Sequence, residues 1–120
     1  MDKTEIDKAF GAHSLWKASL KLMILTGKRD IPVNEIEDEH ECDFGKWLYG
    51  PTIPPEQKTS VHYEKVKDLH AEFHKTAAKV AKLATTGKVA EAEILINLTG
   101  EFTLISNKLT TALIDWKESI

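Results

Sequence analysis

Two histidines four residues apart, His70 and His74, are the side chains whose spacing most directly suggests chemistry. They lie in residues 66–77, where apolar residues recur with the period of an α-helix. Residues four apart on a helix project from one face a single turn apart, so two imidazoles there can bind one metal ion. Histidines on an apolar face are also common as hydrogen-bonded core residues. The pair by itself leaves both interpretations open.

Two further side chains could complete a metal site. His13 lies on the apolar stripe of the first predicted helix and therefore points inward. Cys42, the single cysteine, cannot form an internal disulfide, which leaves it as inert filler, a reactive thiol or a metal ligand. Three imidazoles and one thiolate suit zinc, which binds four nitrogen or sulfur ligands tetrahedrally. The candidate ligands are His13, Cys42, His70 and His74, provided that the fold brings them together.

The remaining two histidines fit this site less well. His62 lies on the inner side of the same predicted helix, but it is eight residues from His70, or roughly 12 Å along the axis at 1.5 Å per residue. It cannot share one ion with the pair, and we expect a core or surface histidine. His40 precedes Cys42 by two residues, yet its acidic neighbours favour a solvent-exposed loop residue over a ligand.

Apolar spacing and helix-stop signals divide the chain into elements that must position these residues. The first helix stops before Gly27, the Gly50-Pro51 pair closes a short aromatic helix, and residues 85–87 form a turn between antiparallel helices. The predicted elements are a helix from Thr4 to Thr26, an acidic loop or short helix from Pro32 to Glu41, a short helix within Cys42 to Gly50, a helix from about Glu56 to Ala84 and a helix from about Val89 to Glu118.

The last predicted helix has apolar residues that alternate in steps of three and four, which is a heptad seam. Gly100 within it indicates a bend or a close helix contact. Leu104, Leu113 and Ile114 flank the seam on the side predicted to be exposed, and association would cover them. We therefore expect an all-α fold, an antiparallel four-helix bundle with a short additional helix, assembled as a homodimer. The seam consists of Leu95, Leu98, Phe102, Ile105, Leu109, Ala112 and Trp116.

Composition limits the function classes. A chain of 120 residues with 42% hydrophobic and 29% charged residues is expected to form one domain, residues 1–120, with a proper core. The net charge of −3 and the scattered basic residues argue against nucleic acid and anionic membranes as partners. Uncharged apolar runs are far shorter than the roughly 18–20 residues of a spanning helix, and no signal peptide opens the chain. We expect a cytoplasmic protein without membrane insertion.

The motifs around these candidates resemble the bacterial chemoreceptor zinc-binding domain family. His13 is followed by Trp16, residues 42–48 read Cys-Asp-Phe-Gly-Lys-Trp-Leu and are followed by Gly50, and His70 and His74 precede a helix of small residues. The cysteine block is the most specific of these motifs. The resemblance implies a four-helix bundle with a short extra helix, often dimeric, that binds one zinc ion through three histidines and one cysteine. Carried onto this chain, the ligands are His13, Cys42, His70 and His74, and Trp16, Phe44 and Trp47 flank them.

The resemblance also implies a regulatory role. Such domains occur in chemotaxis receptors and beside diguanylate cyclases, and they are associated with responses to zinc and to hypochlorous acid. We expect a zinc-dependent sensor that controls a chemotaxis or cyclic-di-GMP output, with Cys42 as the redox switch. No receptor coil or cyclase follows Ile120, so we expect a free-standing member or an excised input domain.

Two other functions are open on the residues alone. A structural dimerisation module would explain the heptad seam, and a bundle enzyme would use three histidines with water as the fourth zinc ligand. Against an enzyme, Glu72 is about 160° around the helix from His74, so no general base is placed near the predicted site.

Overall fold

The computed structural model describes residues 3–27, 33–40 and 42–120, and in these ranges every regular element is an α-helix. This confirms the all-α class and is compatible with a helical bundle, whereas the four-helix antiparallel arrangement and the dimer stay predictions. Within the same ranges, no helix has the length and apolar content needed to cross a membrane. The helices are α1 (Lys3–Thr26), α2 (Val33–Glu37), α3 (Asp43–Leu48), α4 (Pro55–Lys58), α5 (Val61–Thr85), α6 (Val89–Ile96) and α7 (Glu101–Glu118).

Helix α1 follows its prediction within one residue. It ends at Thr26, and the next residue, Gly27, has a φ of +67° and donates its N–H to the Met23 carbonyl at 2.8 Å. A residue without a Cβ adopts this left-handed conformation at little cost, so glycine is suited to closing the helix. The acidic segment contains the short helix α2, and the ends predicted for that segment, Pro32 and Glu41, lie outside the described residues.

The entry to the long helix α5 differs from the prediction. The expected continuous helix from Glu56 is wrong, because residues 55–58 form the separate short helix α4 and α5 begins at Val61. The cause is a local cap: the Ser60 hydroxyl oxygen accepts the Tyr63 N–H at 3.1 Å. A serine N-cap satisfies one of the amides left unpaired at a helix start and therefore sets the boundary.

The predicted last helix is also wrong, since it is divided into α6 and α7. The Asn97 side-chain oxygen accepts the Thr99 N–H at 3.0 Å in the break, and a Cβ at Gly100 would collide with the carbonyl oxygens of the preceding helix. The break interrupts the heptad seam, leaving Leu98 92% exposed. Leu113, predicted on the exposed side, is completely buried.

Helix α5 lies at the centre of the packing and contacts α1, α2, α6 and α7. Its ring contacts with α7 join Phe73 to Phe102 at 5.1 Å and Tyr63 to Trp116 at 6.0 Å. The earlier of the two α5 residues contacts the later of the two α7 residues, so the two helices are antiparallel. The central position of α5 buries the face that carries both predicted histidine ligands.

Candidate metal centre

The histidine pair on α5 points into the interior, as its spacing predicted. His70 and His74 are 1% and 0% exposed, and their rings are 4.6 Å apart. The Cys42 sulfur lies 3.4 Å from Nε2 of His70 and 3.2 Å from Nε2 of His74. The structure therefore brings two imidazole nitrogens and one sulfur from distant parts of the chain to one buried point.

Cys42 is positioned by the start of the short helix α3. It is the N-cap residue, and its sulfur accepts the Gly45 N–H at 3.2 Å. A Cβ at Gly45 would collide with the Glu39 carbonyl oxygen, so only glycine permits this close approach of the two backbone segments. The glycine of the cysteine block thus holds the turn that points the sulfur at the histidines.

His74 has the orientation expected of a metal ligand. Its Nδ1 lies 2.7 Å from the Ile36 carbonyl oxygen on α2, so Nδ1 carries the proton and donates it there. The lone pair is then on Nε2, the nitrogen that faces Cys42. Metal-binding histidines usually donate their other N–H in this way, which fixes the tautomer and the ring orientation.

The aromatic residues predicted to flank the site lie at different distances from the histidine rings. Phe44 stacks on the His70 ring at 4.4 Å with an interplanar angle of 14°, and Trp16 meets the His74 ring edge-on at 5.3 Å. Trp47 is one layer further out, against Phe44 at 5.8 Å, and its Nε1 donates to Glu5 at 3.3 Å. These rings restrict the imidazoles and exclude water around them.

Burial sets the protonation of the site. Desolvation lowers the pKa of His70 to about 3 and that of His13 to about 4, and it also lowers the pKa of His74. The imidazoles are therefore neutral at neutral pH and keep a lone pair for a metal. Burial raises the pKa of the Cys42 thiol, so a thiolate here needs a positive charge beside it.

His13, the fourth predicted ligand, is buried beside Phe73 and does not join the close group. Its ring centroid is 4.5 Å from that of Phe73, and its Nε2 lies 2.9 Å from the Ser106 hydroxyl oxygen on α7. It is close enough to lower the pKa of His70 through charge repulsion. Its Nδ1 is buried and has no hydrogen-bond partner. The structure thus brings three of the four predicted ligands together and leaves His13 at their margin.

The remaining histidines lie away from this point, in line with the sequence analysis. His40 is exposed, with Nδ1 3.3 Å from the Asp38 carboxylate, and its ring is 4.3 Å from Tyr49. His62 is half-buried near the start of α5. Glu72 is exposed on the outer face of the same helix.

Sequence reasoning missed two groups that contact the imidazoles. The first is the Ile36 carbonyl, a backbone group that no residue type identifies. The sequence did contain an indirect indication, since Ile36 is a single isoleucine among acidic residues, and it is completely buried. The Ser106 hydroxyl had no signal beyond being a small polar residue one position after the predicted seam residue Ile105.

The donor set fits zinc. Ligand atoms of Cys42, His70 and His74 lie within 4.8 Å of one another, and all three residues are buried. Zinc accepts a soft sulfur together with imidazole nitrogens, and such sites commonly have a fourth nitrogen or oxygen ligand. The unpartnered Nδ1 of His13 is a further nitrogen of the required type.

A family model of the chemoreceptor zinc-binding domain matches residues 13–81, more than half of the chain. The matched segment begins at His13, includes Cys42 and extends past His74 into the second half of α5. No curated protein and no solved structure matches the chain. Taken with the buried cysteine and histidine group, the family match establishes that the chain belongs to the chemoreceptor zinc-binding domain family, a family of zinc-binding domains.

Proposed function

We propose that the chain is a zinc-binding regulatory domain, not an enzyme, in which His13, Cys42, His70 and His74 bind one zinc ion. The observation that carries this proposal is the convergence of the Cys42 sulfur with two Nε2 atoms at 3.4 and 3.2 Å inside the core. Desolvation that keeps the imidazoles neutral supports it, because neutral rings bind metal without first losing a proton.

Each residue has a defined part in the proposed site. Zinc, when bound, supplies the positive charge that favours a thiolate at Cys42. The Gly45 N–H hydrogen bond adds a donor to that sulfur, and the Ile36 carbonyl holds His74 in the binding tautomer. Phe44 and Trp16 pack on the histidine rings and keep water out.

We further propose that Cys42 is the redox switch. The thiolate sulfur attacks the chlorine of hypochlorous acid, which breaks the O–Cl bond and releases hydroxide. Water then hydrolyses the sulfenyl chloride to a sulfenic acid with release of chloride and a proton, which neutralises the hydroxide. Overall, thiolate and hypochlorous acid give sulfenic acid and chloride, so sulfur loses the two electrons that chlorine gains. A neutral sulfenic acid binds zinc more weakly than a thiolate. The oxidation therefore loosens the connection between Cys42 and the two histidines.

The movement that follows concerns the segments held by Cys42. The sulfur connects the start of α3 to α5, while Gly45 packs against Glu39 just after α2. Loss of the sulfur ligand frees α3 and the turn before it to shift against α5. The output proposed for this shift is chemotaxis or cyclic-di-GMP signalling, through a chemoreceptor or diguanylate cyclase partner.

The proposed assembly is a homodimer of four-helix bundles. Leu15, Leu22 and Leu25 are 71%, 59% and 83% exposed on α1, and their spacing of seven and three residues places them along one side of that helix. Leu104 and Ile114 add partly exposed side chains on α7, at 49% and 43%. A second copy of the chain would cover such an apolar side.

Zinc content tests the ligand assignment. Purified protein is expected to bind about one zinc per chain. His74→Ala and His70→Ala should lower the affinity sharply, because each removes one nitrogen from the convergent group. His62→Ala is the matched control, since it removes a histidine from the same helix about two turns away. Equal losses in His62→Ala and His70→Ala would contradict the assignment.

A further inference from the structure

A buried hydroxyl on α7, outside the segment that matches the family, contacts the histidine at the margin of the candidate metal centre. Ser106 is completely buried, and its Oγ lies 2.9 Å from Nε2 of His13, a residue 93 positions earlier. The family match ends at residue 81, before α6 and α7 begin. This hydrogen bond therefore connects the start of the matched segment to the last helix.

The hydrogen bond leaves the two nitrogens of His13 with different roles. A neutral imidazole has one N–H and one lone pair. Nε2 is engaged by the Ser106 hydroxyl, whereas Nδ1 is buried without a partner. The Nδ1 of His70 is also buried without a partner while its Nε2 faces Cys42, so a missing partner does not by itself identify a metal-binding nitrogen. What distinguishes His13 is that its Nε2 is occupied by the Ser106 hydroxyl.

We propose that Ser106 is a positioning residue of the zinc site: its hydroxyl oxygen accepts the N–H of His13 Nε2, which leaves the lone pair on Nδ1 as the one that binds zinc. This inference rests on the proposed function in taking His13 as a ligand. His74 uses its two nitrogens the other way round: Nδ1 donates to the Ile36 carbonyl, and Nε2 faces Cys42. Two ligands would then bind through different nitrogens, each selected by a partner on another helix.

With Ser106 in this role, α7 forms part of the metal centre. Loss of a hydrogen-bond partner of a metal-binding histidine typically weakens metal binding by about 10–100-fold. Because Ser106 belongs to α7, a change in metal occupancy at His13 acts directly on that helix. The C-terminal helix is thus connected to the metal through Ser106 and His13, independently of Cys42.

The test measures zinc affinity by competition with a chelator. Ser106→Ala should weaken zinc binding by about 10–100-fold. Thr103→Val is the matched control: it removes another α7 hydroxyl, which donates to the Ile96 carbonyl at 2.9 Å, and should leave the affinity unchanged. In a His13→Ala background, Ser106→Ala should have no further effect, because the serine acts only through that ring.

A second readout separates positioning from a general structural role. With Co²⁺ in place of zinc, Ser106→Ala should alter the visible ligand-field absorption, which reports on the ligands and their geometry, while Thr103→Val should not. An unchanged Co²⁺ spectrum with wild-type zinc affinity would overturn the proposal. So would an equal loss of affinity from Ser106→Ala with and without His13.

The outcomes also distinguish this inference from the proposed function. If His13→Ala weakens zinc binding but Ser106→Ala does not, the ligand set stands and only the role of Ser106 is overturned. If the wild-type protein binds no zinc, or His13→Ala binds it as tightly as the wild type, the proposed four-ligand site fails and the role of Ser106 fails with it.

Discussion

Cys42 has two physical roles that substitution can separate. As N-cap of α3 its sulfur accepts the Gly45 N–H at 3.2 Å, and as a proposed ligand the same sulfur meets two imidazoles. Cys42→Ser keeps an acceptor at the cap but lacks the soft thiolate, whereas Cys42→Ala lacks both. The pair of variants therefore measures the cap and the ligand independently.

The expected magnitudes follow from these contacts. Loss of a side-chain N-cap costs about 0.5–2 kcal/mol, so metal-free Cys42→Ala should unfold with about 1 kcal/mol less free energy than metal-free Cys42→Ser. Both variants keep His13, His70 and His74, and water can fill the vacant position. Both should still bind zinc, but on the order of 100-fold or more weakly, because a direct ligand matters at least as much as the hydrogen-bond partner of one.

The oxidation assay uses zinc-loaded wild-type and Cys42→Ser protein with a zinc-responsive dye. Increasing hypochlorous acid should release zinc from the wild type and much less from the serine variant. The serine variant also controls for other oxidation, because methionines such as Met23 react with the same oxidant. If the two release curves superimpose, Cys42 is not the switch and the site must be structural or responsive to zinc supply alone.

Two further substitutions test the surrounding structure. Gly45→Ala should weaken zinc binding and lower the free energy of unfolding by about 1–3 kcal/mol, because the new Cβ meets the Glu39 carbonyl. Gly11→Ala is the control: nothing lies within 4 Å of a Cβ there, so zinc affinity should stay unchanged. Light scattering should give a dimer for the wild type and a monomer for Leu22→Glu, with Leu98→Glu in the α6–α7 break as the control. A wild-type monomer, or dimers of both leucine variants, would contradict the proposed interface.

Several features of the fold were predictable because they depend on residues close in sequence. Helical periodicity placed His70 and His74 on one buried face, and Gly27 marked the end of α1. The same local reasoning failed at the start of the helix predicted from Glu56 and in the interior of the helix predicted from Val89 to Glu118. At these two places a side-chain oxygen, of Ser60 or Asn97, accepts a backbone N–H that a continuous helix would have bonded to a carbonyl one turn earlier. These local hydrogen bonds set the helix boundaries, although the apolar periodicity continues across them.

The candidate site was predictable in its residue types but not in its geometry. The cysteine block and the histidine spacing identified the ligands proposed for zinc and the family to which the chain belongs. Spacing along one helix sets which face a side chain occupies, and it says nothing about the distance to another helix. The approach of Cys42 to His74 depends on how α3 packs against α1 and how α2 packs against α5.

The partners of the imidazoles were decided by tertiary structure alone. The Ile36 carbonyl is a backbone group, which every residue possesses, and Ser106 is separated from His13 by 93 positions. No local pattern distinguishes these groups, because their positions follow from the packing of whole helices around α5. The sequence by itself determined which candidate ligands the chain offers, and the tertiary structure decided that Cys42, His70 and His74 lie together and that Nε2 of His74 faces the sulfur.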